Sequence, residues 1–204
     1  LLYSGHEEEH TPQIQGVALM LLPAANRTLI GWEVHGPKII TATIRTKNKR
    51  INMNVIQCYA PTNGSKEEEK EQFYNRLQSI LEKCHRRDIT ILMGDLNAKI
   101  GSDNTGYEEV MGNHGLGVMT NLCALNSLVI GGSVFSHKRI HKAKWVSPDY
   151  STENQIDHIC IAKKFRRFLQ DVKVIRGADM TSDQHLVMAR LKLKLKKAWM
   201  EPTS

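Results

Sequence analysis

The sequence lacks the features that mark a membrane protein or a disulfide-stabilised fold. No segment is long and apolar enough to span a bilayer, and no basic stretch precedes an apolar one as in a secretion signal. Four cysteines are spread out with no Cys-x-x-Cys pair, which argues against a zinc site and a disulfide scaffold. We therefore expect a nuclear or cytoplasmic protein with reduced cysteines and no membrane partner.

The rest of the composition is that of one globular domain. A chain of 204 residues with 41% hydrophobic residues ordinarily forms a single domain with its own core, and neither a linker nor an internal repeat interrupts it. The net charge of +7 and the pI near 9.3 suit a polyanionic partner. Excess lysine is common in ordinary soluble proteins, so charge alone does not identify that partner.

Segments of strand character outnumber helices. One amphipathic helix carries Phe73, Leu77 and Ile80 on a single stripe, and Ser65 with Glu68 predicts a capping box at its start. Many strands and few helices predict an α+β fold, a layered β-sandwich flanked by helices. The predicted strands cover residues 17–22, 39–45, 51–59, 89–92, 128–130, 144–146, 156–161, 172–175 and 186–193.

The most informative motif is Gly94-Asp95-Leu96-Asn97, which follows the apolar strand 89–92. A glycine there lets the backbone turn tightly at the strand end. Asp95 and Asn97 are two residues apart, so in extended geometry their side chains point the same way. Such a pair can hold a water or metal ion with the acid and a phosphate oxygen with the amide. The alternative is an Asx turn that only satisfies local backbone groups.

Three further segments place a polar group at or inside a β-rich stretch, where an unpaired charge would be costly. They are Tyr59-Ala60-Pro61, Ile156-Asp157-His158-Ile159 and Ser182-Asp183-Gln184-His185. One such segment could be an accident. Four of them, counting the Asp95 motif, predict a functional site.

The order Tyr-x-Pro, Gly-Asp-x-Asn, Ile-Asp-His-Ile, Ser-Asp-x-His resembles that of the exonuclease–endonuclease–phosphatase superfamily. Within that superfamily, the residues in and around these motifs resemble the endonuclease domain of RTE/BovB-type non-LTR retrotransposons, over nearly the whole chain. The resemblance implies the endonuclease/exonuclease/phosphatase-like sandwich and a DNA endonuclease dependent on Mg²⁺ or Mn²⁺. In that family the enzyme nicks target DNA to expose a 3′ hydroxyl for reverse transcription.

The resemblance also implies a role for each motif residue. Asp95 would orient or deprotonate the attacking water. Asn97 and Tyr59 would contact a phosphate of the DNA. Asp183 would be a metal ligand, and Asp157 would orient the histidine that follows the Ser-Asp pair in the family.

This sequence departs from the family pattern at the position of that histidine. Gln184 stands at its position, and glutamine can hydrogen-bond a phosphate but cannot carry a proton or a positive charge. His185 does not replace it simply, because adjacent strand positions point to opposite faces. Losing a general acid or base typically costs on the order of 10²–10⁴-fold in rate.

Two other departures concern missing segments. The family's two earlier strands, with its main metal-binding glutamate, are not found, and residues 115–126 are shorter than the family pattern. We therefore expect the domain, 1–204, to be N-terminally incomplete, with an exposed sheet edge near 17–22 and weak or no activity.

Two other functions stay open for this sequence. One is a non-catalytic nucleic-acid or chromatin-binding protein, which Gln184 and the missing glutamate favour. The other is a small-phosphodiester or phosphomonoester hydrolase of the same superfamily. Trp145 resembles the family's aromatic residue near the DNA groove, and a core or rim position is the alternative. The run 163–167 is either a phosphate-contacting patch or, more commonly, a solvated helix face.

The first prediction concerns rescue of activity. Gln184→His alone is not expected to restore strong nicking of supercoiled DNA. A family-like N-terminal segment combined with Gln184→His should raise Mg²⁺-dependent nicking well above either change alone, because metal and histidine act on the same transition state. An unmodified chain that nicks as fast as the repaired one would contradict this interpretation.

Overall fold

The structure is a computed structural model and describes residues 1–4, 16–62, 64–97, 118–135, 145–146, 153–154, 157–175 and 186–194. The helices are α1 (Pro23–Asn26), α2 (Glu67–Lys83), α3 (Val118–Leu125), α4 (Gly131–Val134) and one 3₁₀ helix (Lys163–Phe168). Among these described helices, none has the length and apolarity needed to cross a membrane. The strands are β1 (Leu2–Ser4), β2 (Val17–Leu19), β3 (Leu29–Val34), β4 (Ile39–Arg45), β5 (Asn52–Tyr59), β6 (Ile89–Asp95), β7 (Leu128–Ile130), β8 (Trp145–Val146), β9 (Glu153–Asn154), β10 (Asp157–Ala162), β11 (Leu169–Ile175) and β12 (Leu186–Leu191).

A central sheet of six strands has the order β3-β4-β5-β6-β10-β7. Its pairings are antiparallel except for β5 and β6, which run parallel. A parallel pair needs a long crossover, and α2 supplies it. Three two-stranded pairs accompany the sheet: β1-β2, β11-β12 and β8-β9.

The two faces of the central sheet are covered by different layers. On one face, Ile56 and Leu92 pack with Phe73 and Leu77 of α2. The opposite face holds two clusters, one against the β1-β2 pair and one against the β11-β12 pair. Because side chains alternate along each strand, both faces of a central strand can be apolar. The result is the expected α+β class, with helices on one face and a second strand layer on the other.

The start of α2 differs from the expectation. The helix begins at Glu67, with Lys66 at its N-cap and no side-chain cap, so the predicted capping box of Ser65 and Glu68 is wrong. Lys66 has extended backbone angles, which places Ser65 one position too early to cap the helix. The start of the helix is stabilised instead by three glutamates in its first turn, which interact favourably with the positive end of the helix dipole.

One strand of the central sheet was missed, and several strand boundaries differ from the predicted ones. The sequence pattern missed β3, an edge strand with a register irregularity between Leu29 and Gly31. The last predicted strand, 186–193, ends at Leu191 because its partner β11 begins at Leu169, directly after the 3₁₀ helix. The predicted strand 17–22 is shorter, Val17–Leu19. It pairs with β1 and with no other described strand, which agrees with a sheet edge there.

Gly94 allows β5 and β6 to approach closely at their ends. Its φ is +132°, and a Cβ there would lie 1.9 Å from the Cys58 carbonyl oxygen. We expect Gly94→Ala to lower the free energy of unfolding by more than about 2 kcal/mol, through backbone strain and the clash.

Gly31→Ala is the matched control for urea unfolding. A Cβ at Gly31 meets no atom within 4 Å, so this change should be neutral or stabilise by up to about 1 kcal/mol. Equal unfolding midpoints for the two variants would rule out a special requirement for glycine at position 94.

Candidate active site

Tyr59, Asp95 and Asp157 lie opposite one another at one end of the central sheet. Tyr59 is the register partner of Asp95 in the parallel β5-β6 pair, and Asp157 is the partner of Asp95 in the antiparallel β6-β10 pair. Neighbouring strands are about 5 Å apart, so the three positions form a short row across three strands. We call these three residues the polar row.

The polar row faces the second strand layer, on the side opposite α2. The strand alternation places Asp95 on the same face as Ile91 and Met93, which pack in the clusters of that layer. Tyr59 is half-buried against the cluster next to β2, and Asp95 is only 8% exposed. His158, one position after Asp157, is buried on the other face, as the alternation predicts.

The turn after Asp95 is held by hydrogen bonds from Asn97. The Asn97 backbone N–H donates to Asp95 Oδ1 at 2.8 Å, and its side-chain Nδ2 donates to the Ala60 carbonyl at 2.7 Å. The Ala60 N–H in turn donates to the Asp95 carbonyl at 2.7 Å. Asn97 has a φ of +43°, a left-handed conformation that asparagine tolerates. The Asx turn therefore exists, and it fixes the Asp95 carboxylate next to the ends of two strands.

Tyr74 supports this turn from α2. Its hydroxyl donates to the Leu96 carbonyl at 3.2 Å, between the two motif residues. Burial, with smaller effects of Cys58 and Asp95, raises the pKa of Tyr74 to about 12. Sequence reasoning missed this residue, because a tyrosine at the margin of an amphipathic stripe carries no signal of its own.

The buried thiol of Cys58 lies within the electrostatic influence of both carboxylates. Burial raises the pKa of the Cys58 thiol well above its usual range, and Asp95 and Asp157 raise it further. Both carboxylates thus act on one buried group at the strand ends. The thiol is a protonated, apolar part of the core at neutral pH, and it is a poor nucleophile.

The structure brings together Tyr59, Asp95, Asn97 and Asp157 of the predicted site residues. Asp183 and Gln184 lie outside the described residues. The backbone of Trp145 lies in β8, opposite Asn154 of β9. The chemical roles assigned to these residues stay predictions.

The donor chemistry of the polar row suits a hard divalent cation. Mg²⁺ prefers carboxylate oxygens and usually keeps waters and substrate phosphate in its shell. Within the residues that the structure describes, no group of three or more His, Cys, Asp or Glu side chains could hold a metal. The two described carboxylates, Asp95 and Asp157, would therefore need Asp183 or substrate oxygens to complete a shell.

The Tyr74 contact makes stability depend on alkaline pH. The fold favours the neutral phenol, so its stabilisation is complete below the ordinary tyrosine pKa of 10.0 and is lost as the pH rises through about 12. We expect Tyr74→Phe to cost about 1 kcal/mol near neutral pH through the lost hydrogen bond. It should also reduce the loss of stability between about pH 8 and pH 11.

Urea unfolding at both pH values tests this expectation. Tyr3→Phe is the matched control, because Tyr3 is 64% exposed and its hydroxyl should not matter. Identical pH dependence in Tyr74→Phe and the parent would show that Tyr74 does not titrate in the way its burial implies.

Two curated relatives match most of the chain. Craniofacial development protein 2 from Bos taurus is 35% identical over 188 residues, covering 89% of this chain and 31% of that protein. The protein of the same name from Tragulus javanicus is 34% identical, with 89% and 32% covered. The chain thus spans about a third of the length of these relatives. No family model matches the chain.

Solved structures with a similar fold include nucleases. The 3′-5′ exonuclease NExo from Neisseria meningitidis has a TM-score of 0.56 at 17% identity, covering 79% of this chain and 67% of its own. The endonuclease domain of TRAS1, a telomere-specific non-LTR retrotransposon, has a TM-score of 0.54 at 14% identity, with 82% and 70% covered. The 3′ phosphatase NExo from Neisseria bound to product DNA hairpin has a TM-score of 0.56 at 18% identity, with 84% and 69% covered.

At these identities the solved structures establish the fold. The curated relatives add similarity in sequence over nearly the whole chain. The chain is therefore a craniofacial development protein 2-like sequence with the endonuclease/exonuclease/phosphatase fold.

Proposed function

We propose that this chain is a divalent-metal-dependent phosphodiesterase domain of retrotransposon origin that nicks DNA slowly. The observation that carries the proposal is the polar row, in which strand register sets Tyr59 beside Asp95 and Asp95 beside Asp157 on three successive strands. Phosphodiester cleavage needs a positioned water, a contact for the phosphate and stabilisation of developing charge. The row and Asn97 supply groups suited to the first two.

Asp95 is the proposed group that orients the attacking water. Asp95 is 8% exposed and its carboxylate accepts a hydrogen bond from the Asn97 N–H, so it needs little reorganisation to act. Tyr59 and the Asn97 carboxamide are proposed to contact phosphate oxygens of the DNA. A Mg²⁺ or Mn²⁺ ion bound with the help of Asp183 would neutralise charge on the phosphate.

Gln184 sets the expected rate. It can donate a hydrogen bond to a phosphate, but it cannot protonate a leaving group. If Asp157 orients Gln184 in place of a histidine, the leaving oxygen must take its proton from water. The rate should then be on the order of 10²–10⁴-fold below that of a site with the histidine.

The relatives support the substrate class. Proteins of this fold are named as a 3′-5′ exonuclease and a retrotransposon endonuclease, and one is bound to a DNA hairpin. The name 3′ phosphatase also keeps phosphomonoester hydrolysis as a second candidate. Nucleic-acid binding without catalysis is a third candidate, which the net charge of +7 supports. A nuclear or cytoplasmic setting suits all three.

Nicking of supercoiled plasmid with Mg²⁺ tests the proposal. The parent chain should nick slowly, and Asp95→Asn should reduce the rate by at least about 10²-fold, because an amide cannot serve as the base for water. The matched control is Glu33→Gln, an exposed carboxylate on β3, which should leave the rate unchanged.

A second substrate separates the candidates. A 3′-phosphorylated oligonucleotide releases inorganic phosphate if the site prefers monoesters. Phosphate release without nicking would contradict endonuclease activity and support phosphomonoester hydrolysis. Equal nicking by the parent and Asp95→Asn would remove the polar row from the reaction. Tight DNA binding with no hydrolysis of either substrate would support nucleic-acid binding without catalysis.

A further inference from the structure

The end of the central sheet opposite the polar row carries a dense group of exposed cations. The parallel strands β5 and β6 connect the two ends over about 20 Å. Three segments meet at the far end: the β4-β5 turn (46–51), the α2-β6 loop (84–88) and the 3₁₀ helix. We call this surface the basic end.

Hydrogen bonds hold the three segments in place. The Asn52 N–H, just after the first turn, donates to Asp88 Oδ1 of the second segment at 2.9 Å. The Lys163 N–H, at the start of the 3₁₀ helix, donates to the Ser127 carbonyl at 2.8 Å. The cations of the basic end therefore sit on a fixed backbone.

The charge of the basic end is strongly one-sided. Every lysine and arginine in the three segments is exposed. The one acidic residue in these segments is Asp88, which is 5% exposed and accepts the Asn52 N–H inside the fold. Nearby Glu82 of α2 accepts a hydrogen bond from Gln78 at 2.8 Å. The three segments thus carry nine exposed lysines and arginines against one buried carboxylate.

The 3₁₀ helix is built to display its cations. Phe165 and Phe168 are 4% and 2% exposed and stack on each other at 5.6 Å between ring centroids. Lys164 Nζ lies 5.6 Å from the Phe165 ring, and Arg167 Cζ lies 5.5 Å from the Phe168 ring. Cation–π contacts of this kind order a flexible cationic side chain. In the run 163–167, the two phenylalanines are buried and the cations next to them are exposed and in contact with the rings.

Three of these cations have no carboxylate partner within the described part of the chain. There, Lys164, Arg166 and Arg167 take part in no ion pair, and the salt bridges involve His35, Lys38 and Lys70 instead. Like charges held close together destabilise the fold through repulsion. A bound polyanion would relieve that repulsion.

A cleft beside the 3₁₀ helix offers room for such a ligand. Its volume is about 560 Å³. Its lining includes the cations Arg86, Lys163 and Lys164, the carboxylates Glu82 and Asp88, and the polar pair Gln78 and Asn126. The Asn126 Nδ2 donates to Gln78 Oε1 at 2.6 Å, so the polar floor is ordered. Cations from two of the three segments therefore line one concave surface.

We infer that the basic end binds the phosphate backbone of nucleic acid, at a surface separate from the polar row. Exposed lysines and arginines that replace the counterions of a phosphate backbone give binding that is independent of sequence and falls steeply with salt. This binding needs neither metal nor hydrolysis, so it stands or falls independently of the proposed nicking activity. An acidic protein partner is the competing outcome of the test.

The test compares two triple variants of the full chain in EDTA. The basic-end variant is Lys164→Gln, Arg166→Gln and Arg167→Gln. The control variant, with the same loss of charge on α2 and its N-cap residue, is Lys66→Gln, Lys70→Gln and Arg76→Gln. Fluorescence anisotropy with a short labelled DNA duplex gives Kd between about 50 and 200 mM salt. Thermal unfolding verifies that both variants fold.

The basic-end variant should bind at least about tenfold more weakly at low salt, and the slope of log K against log salt should fall by up to about 3. The α2 control should change Kd by less than about threefold. Equal losses in both variants would mean that only net charge matters and would overturn the site. So would binding of an acidic polypeptide such as polyglutamate in preference to DNA.

A footprint tests the same inference without any variant. Lysine acetylation of the folded parent, read by mass spectrometry, should show protection of Lys163 and Lys164 when DNA is added in EDTA. Protection confined to lysines away from the basic end would overturn the proposal, even if the triple variants failed to fold.

Discussion

The parallel pairing of β5 with β6 is the constraint on which the rest of the structure depends. It sets Tyr59 beside Asp95 at one end and the two basic loops beside each other at the far end. The pairing is tight because Gly94 lets the backbone of β6 approach the Cys58 carbonyl, where any side chain would collide. An antiparallel arrangement of the same strands would have separated the phenol from the carboxylate by the length of the sheet.

The crossover helix α2 makes this parallel pairing possible and also stabilises the site. Its apolar stripe packs on the face of the sheet away from the polar row, with Phe73 and Leu77 buried in the core. At the margin of that stripe, Tyr74 donates a hydrogen bond to the turn between Asp95 and Asn97. One helix thus supplies the connection, four buried residues of the core and a polar support for the turn. The site does not sit on a loose loop, although its motif residues follow a strand end.

Local signals in the sequence were sufficient for the parts of the fold with strong patterns. An apolar run ending in Gly94, Asp95 and Asn97 predicted a strand and a turn, and both are present. The edge strand Leu29–Val34 was missed, because it contains a glycine and its stability comes from pairing with β4. The register that aligns Tyr59 with Asp95 depends on topology, and no local pattern encodes it. For that reason, the prediction that these residues lie together rested on the family resemblance. The number and order of predicted strands would not have shown it.

The placement of carboxylates and cations at opposite ends of the central sheet suits the proposed polyanionic ligand. The polar row presents two carboxylates, Asp95 and Asp157, which repel phosphate unless a cation lies between them. The row is therefore a poor place to gain affinity for DNA. Cations at the opposite end can supply that affinity without neutralising the carboxylates, because about 20 Å exceeds the screening length at physiological salt. Under the proposed roles, Gln184 would lower the rate at the polar row, while the basic end would still bind nucleic acid.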